Sequence, residues 1–138
     1  MAKFRLVILT PEKELFNDEI ERVLVPTERG SLTVLYRNYP VLSLLQTGII
    51  TVKQGKNKKT IHYAISHGVL NSERDVVYIL GGAIESSNQI DVARALAAKE
   101  RAEARLEKSR QGDNVDVQRA QAALNRALTR LKVSSIND

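Results

Sequence analysis

Two stretches near the C-terminal end of the chain carry nearly the same text. Arg94 to Leu106 reads RALAAKERAEARL, Arg119 to Leu131 reads RAQAALNRALTRL, and both fit R-A-x-A-A-x-x-R-A-x-x-R-L. A pattern repeated at the helical period restricts this region to two similar helices in succession. At about 100° per residue, Arg94, Arg101 and Arg105 fall in one narrow stripe with Ala98 among them, and Arg119, Arg126 and Arg130 do the same with Ala123. Val92, Ala95, Leu96, Ala102 and Leu106 form the apolar side of the first helix. Val117, Ala120, Leu124, Ala127, Leu128 and Leu131 form that of the second. The run Lys108-Ser109-Arg110-Gln111-Gly112-Asp113 breaks the period. Gly112 suits a left-handed helix end, and Asp113 or Asn114 is expected to cap the next helix. Ser87 or Asn88 is expected to cap the first, with Asp91 in its first turn, where a carboxylate favours the helix dipole. A link this short joins antiparallel neighbours, so the region reads as a helical hairpin. Alanine at the contact buries little area, and at about 25 cal/mol per Å² the hairpin is expected to be only loosely committed to its closed form.

The preceding residues follow a different rule. Phe4, Leu6 and Ile8 alternate with Lys3, Arg5 and Val7, and Ile20 to Val25 is β-rich. Ser31–Tyr36, Gly48–Gln54, Thr60–Ser66 and Val76–Leu80 follow at short spacing, separated by Gly-, Pro- and Asn-containing turns. Such spacing predicts a sandwich or barrel. The Gly55-Lys56-Asn57-Lys58-Lys59 turn reads as a hairpin tip whose lysines keep a sheet edge solvated. Residues 1–86 are therefore assigned to a β domain and 87–138 to a helical hairpin.

Composition removes several classes of chemistry. The chain has no Cys, which excludes a disulfide framework, a thiolate metal site and a thiol nucleophile. His62 and His67 sit in or beside one expected strand, on opposite faces if it stays regular, which is poor geometry for a shared metal. Gly81-Gly82 has no Lys-Ser/Thr behind it at phosphate-loop spacing. No catalytic residues and no metal ligands are assigned. The short apolar run after Met1 reads as a first strand and not a signal peptide, and no stretch approaches the roughly 20 apolar residues that span a bilayer. Residues 1–88 carry 11 Lys/Arg against 9 Asp/Glu, and residues 89–138 carry 10 against 7. The second helix is the basic one. Lys99 and Glu103 form an i,i+4 pair on the first helix, whereas the second has almost no acid. A basic module for nucleic acid is an open alternative, but the hairpin holds no aromatic on which bases would stack.

Taken in order, these residues resemble a known family. Leu9-Thr10-Pro11-Glu12, Val25-Pro26-Thr27 and Gly30 are similar to the β half of the epsilon subunit of bacterial-type ATP synthases. Ile90-Asp91-Val92-Ala93-Arg94-Ala95, Ala98-Lys99-Glu100-Arg101-Ala102, Arg119-Ala120, Ala123-Leu124, Arg126-Ala127 and Arg130-Leu131 resemble its hairpin. The resemblance implies a ten-stranded β sandwich followed by an antiparallel helical hairpin. It implies a non-catalytic place in the rotor stalk, bound to the gamma subunit and the c ring, coupling the catalytic head to that ring. It implies a peripheral location on the cytoplasmic face of the bacterial plasma membrane, without bilayer insertion. It further implies that the hairpin extends to hinder ATP hydrolysis, with Arg119, Arg126, Arg130 and Lys132 meeting an acidic loop of the beta subunit.

Some members of that family bind ATP on the folded hairpin. The positions that correspond are Glu85, Ile90, Asp91, Arg94, Ala95, Arg101, Arg126 and Arg130. Guanidinium forks suit phosphate oxygens, and the carboxylates suit an adenine amino group or ribose hydroxyls. ATP is then a regulatory ligand and no cofactor is required. The chain departs from the family pattern at Thr33-Val34, at Ser66-His67-Gly68 and at Ser86-Ser87-Asn88-Gln89. It departs also at Tyr36-Arg37-Asn38-Tyr39-Pro40, in the loop that the resemblance places against the c ring. A stand-alone nucleotide sensor is the alternative reading.

Overall fold

The computed structural model describes residues 2–36 and 40–136. Ten strands come first: β1 (Phe4–Leu9), β2 (Glu14–Ile20), β3 (Arg22–Thr27), β4 (Gly30–Leu35), β5 (Val41–Leu45), β6 (Gly48–Lys53), β7 (Ile61–Ile65), β8 (Gly68–Glu73), β9 (Val76–Gly81) and β10 (Ile84–Ser86). A 3-10 turn (Ser87–Gln89) leads into α1 (Val92–Arg110) and α2 (Val117–Ser135). The strands form two layers. One runs β4-β3-β6-β7-β10 and the other β5-β8-β9-β1-β2, joined where Thr27 of β3 pairs with Leu45 of β5. The β1–β9 pairing is parallel, and the other strand pairings are antiparallel. Alternation places Leu6, Ile8, Ile20, Val23, Ile50, Leu70 and Ile79 between the layers, where each is fully buried.

The run Ile20–Val25, expected as one strand, is split at Glu21. Its N–H donates to the Lys53 carbonyl at 2.9 Å while the chain passes from one layer to the other. The lysine-bearing turn joins β6 to β7, with Lys58 N–H donating to the Gly55 carbonyl. Of the loop Tyr36–Pro40, residues 37–39 lie outside the described residues. No helix among the described residues is long and apolar enough to cross a membrane.

The helix starts differ from those expected. Asp91, not Ser87 or Asn88, caps α1, its Oδ1 accepting from Arg94 N–H at 3.1 Å. Asp116, not Asp113 or Asn114, caps α2 by the same contact to Arg119 N–H at 3.0 Å. The reason is upstream in each case. Ser86 to Gln89 are taken by the 3-10 turn, where Gln89 Oε1 accepts from Ser86 N–H at 2.9 Å. Residues 111–116 complete the reversal, and there Gly112 holds a φ of 92° that a side chain disfavours.

The hairpin seam is narrower than the periodicity suggests. Ala95 and Ala102 of α1 and Ala120 and Ala127 of α2 are buried, whereas Val92, Leu96, Val117 and Leu128 remain nearly half exposed. Small residues let the helices approach closely, which leaves the larger side chains at the rim. The two helices also differ in role: α2 lies against β6 and β7, and α1 packs on α2. A second, small apolar cluster of Ala64, Ile90 and Val133, with Ile49 beside it, attaches the hairpin to the sandwich. This cluster is separate from the inter-layer core.

Candidate functional site

The site is assembled where β10, the 3-10 turn and both helices meet. β10 is short, but its register sets Glu85 opposite Ala64 of β7 and fixes the height of its carboxylate beside α2. Glu85 Oε1 accepts from Arg130 Nε at 2.7 Å, with about a third of each side chain exposed. The pair therefore spans the sandwich and the hairpin. Asp91 is held by its capping bond to the first turn of α1, one turn below Arg94. Beneath it Ile90 is buried in the small second cluster, which pins the start of α1 to β7.

Around these groups lies a cleft of about 260 Å³. It is lined by Arg94, Ala95, Ala98 and Arg101 of α1 and Arg130 of α2, together with Glu85, Gln89 and Asp91, and the Glu85 carboxylate within it is the one paired with Arg130. An adjoining cleft of about 200 Å³ lies between the helices. It shares Ala98, Arg101 and Arg130 with the first and adds Arg105 and Arg126. Of the ATP positions expected from sequence, Glu85, Asp91, Arg94, Ala95, Arg101 and Arg130 line the first cleft and Arg126 the second. Ile90 lines neither and supports the site from below.

The combination has a definite chemical preference. Guanidiniums converging from two elements bind phosphate oxygens through paired N–H donors. The carboxylates of Glu85 and Asp91 can accept from hydroxyl or amino groups of the same ligand. Alanines in the lining let a flat ring or a phosphate approach the helix backbone. These features fit a polar, anionic ligand with a hydrogen-bonding head.

The four cations expected to meet an acidic partner are not gathered in one place. Arg126 and Arg130 face the clefts, while Arg119 is exposed toward the start of α2, outside both. Lys132 lies on another side of α2, in a groove of about 550 Å³ against β3, β6 and β7. His62 meets Thr51 of β6, with Nδ1 3.3 Å from Oγ1, and His67 sits in the bend after β7. No group of three or more His, Cys, Asp or Glu able to hold a metal occurs among the described residues. Besides four alanines, two polar residues that line the clefts are absent from the sequence assignment, Gln89 and Arg105. Gln89 carries no periodic signal. Arg105 does, because it continues the Arg94–Arg101 stripe by one turn.

Comparison with known proteins covers nearly the whole chain. The family described as ATP synthase, Delta/Epsilon chain, beta-sandwich domain matches residues 3–87, and the long alpha-helix domain of the same family matches residues 88–135. The chain is 41% identical over 107 residues to the ATP synthase epsilon chain of Desulforamulus reducens, covering 77% of this chain and 80% of that one. It is 38% identical over 111 residues to that of Alkalihalophilus pseudofirmus, covering 80% and 82%. Among solved structures it is similar to a chain of the Euglena gracilis mitochondrial ATP synthase OSCP/F1/c-ring structure, with a TM-score of 0.78 at 22% identity over 96% of this chain and 81% of that one. This last likeness is one of fold.

Proposed function

The chain belongs to the ATP synthase delta/epsilon chain family, and on that premise we propose that it is a non-catalytic stalk subunit whose hairpin is a brake on ATP hydrolysis, held off by bound ATP. Its sandwich binds the gamma subunit and rests on the c ring, which keeps it peripheral to the membrane on the cytoplasmic side. Its hairpin either lies folded on the sandwich or extends toward the catalytic head. Supporting the first half of the reading, the structural neighbour from Euglena gracilis is a chain of an assembly whose title names F1 and the c-ring.

The observation that carries the regulatory half is the convergence of Arg94, Arg101 and Arg130 with Glu85 and Asp91 on one cleft of the folded hairpin. That cleft exists only while β10, α1 and α2 are together. A ligand that binds it selects the folded pose by its differential affinity. At a hundred times its dissociation constant such a ligand adds about 2.7 kcal/mol to the folded form. Arg126 and Arg130 cannot serve the clefts and an acidic loop of the beta subunit at once, so nucleotide and brake compete for the same guanidiniums. Extension also has to break the Glu85–Arg130 pair.

The test is calorimetric titration of the full chain with ATP, in the parent and in Arg94→Ala. The reading expects saturable heat in the parent and an affinity lowered at least about tenfold in the variant, as for loss of a charge-assisted contact. No heat at millimolar ATP, or an unchanged affinity in the variant, would remove the nucleotide site.

A further inference from the structure

Arg105 is part of the arginine stripe and lines the cleft between the helices, yet the nucleotide positions above leave it without a task. Its surroundings are electrostatically unbalanced. Arg101 and Arg105 stand four apart on α1, and Arg126 and Arg130 stand four apart on α2. Like charges at that spacing disfavour a helix. The two pairs also face one cleft, so closing the hairpin brings the four guanidiniums together over a floor of alanines. On α1, neither Arg101 nor Arg105 has an acid three or four positions away. Of the four, only Arg130 is given a carboxylate partner among the described ion pairs, and that is Glu85. The cleft is thus left with a surplus of three positive charges where the fold is held by small side chains.

We propose that Arg105 is the distal anchor of the phosphate chain in the cleft between the helices, and the residue that distinguishes a triphosphate from shorter phosphate esters. The arrangement suits a chain of phosphates lying between α1 and α2. Each guanidinium offers a fork of N–H donors to phosphate oxygens, and Arg105 lies one turn beyond Arg101, so the last phosphate reaches it and a monophosphate does not. The ligand removes the repulsion that opposes closure. Binding therefore favours hairpin closure. This deepens the nucleotide reading and rests on it for the direction of the chain, with the nucleoside end toward Glu85 and Asp91. The demand of the groove for a polyanion stands on the arginines alone.

The experiment titrates inorganic tripolyphosphate, ATP and AMP into the full chain, into Arg105→Gln, and into Arg110→Gln as a charge control. Arg110 is on the same helix, exposed and paired with Glu107 outside the cleft. The expected result is that Arg105→Gln weakens tripolyphosphate and ATP by about tenfold, the worth of one charged hydrogen-bonding contact. AMP is expected to be unaffected, and Arg110→Gln to behave as the parent. If ATP binds the parent and Arg105→Gln equally, the proposal is overturned while the nucleotide reading stands. If ATP fails to bind but tripolyphosphate binds through Arg105, the proposal stands and the nucleotide reading falls. If neither binds the parent at millimolar concentration, both fall.

Discussion

At the scale of single residues, the site shows one side chain answering two needs. Asp91 reads from sequence as either a helix-end carboxylate or a ligand. In the structure it is both a cap and a wall of the cleft, because a capping oxygen at the start of α1 necessarily sits beside Arg94. The arginines of the cleft were legible because side chains at helical spacing need only periodicity to be placed on one face, whereas Glu85 was reached through family resemblance. Gln89 was not, since its place depends on a 3-10 turn that has no periodic signature. Tyr63 gives a residue-scale test of the β7 register on which Glu85 depends. Its ring is buried in the inter-layer core opposite Ile50 and Ser86, and burial raises its phenol above the ordinary value. The folded state therefore keeps that proton more tightly than the unfolded state does. Its contribution is complete below pH ~10 and is lost as pH rises from there through the raised value, with a slope of at most about 1.4 kcal/mol per pH unit. Alkaline denaturation curves should show this loss in the parent and less of it in Tyr63→Phe. Equal slopes would place the hydroxyl in solvent.

At the scale of elements, strands that obey simple alternation were legible and those that do not were not. β2 carries Asn17, Asp18 and Glu19 as an edge strand with a solvated face. β5 turns Leu42 and Leu44 outward, where each is 75% exposed, so its pattern runs against burial. β8 is interrupted by Asn71 and Ser72, and β10 has only three residues. The count of ten came from family resemblance, not from periodicity. The hairpin was legible as two helices, but its seam was drawn too wide, because periodicity does not say that alanine contacts exclude the neighbouring leucines. Attachment of the hairpin rests on α2, through Val133 against Ala64 and Ile90. Val133→Ala should cost the docked hairpin about 1–2 kcal/mol through lost burial and a small cavity. Amide exchange should then accelerate in both helices and stay unchanged in β1 and β9. Equal acceleration in those strands would mean that the hairpin and the sandwich share one cooperative core.

At the scale of the whole molecule, one large core lies between the sandwich layers and a far smaller one lies under the hairpin. Stability is therefore unevenly divided, which is the condition for an arm that moves while its base stays folded. Removing residues 89–138 should leave a sandwich that still unfolds cooperatively and still joins the complex, and should raise the ATPase rate of the assembled enzyme. Failure to assemble would put the essential contact in the hairpin. On the proposed function, an anionic ligand holds that arm closed by filling a cleft made jointly by β10, α1 and α2. Hydrogen exchange of the full chain with and without millimolar ATP tests it most directly. Helices α1 and α2 should exchange faster than β1, β6 and β9 without ATP and slow markedly with it, while the strands do not change. Helices already as protected as the strands, and indifferent to ATP, would contradict it.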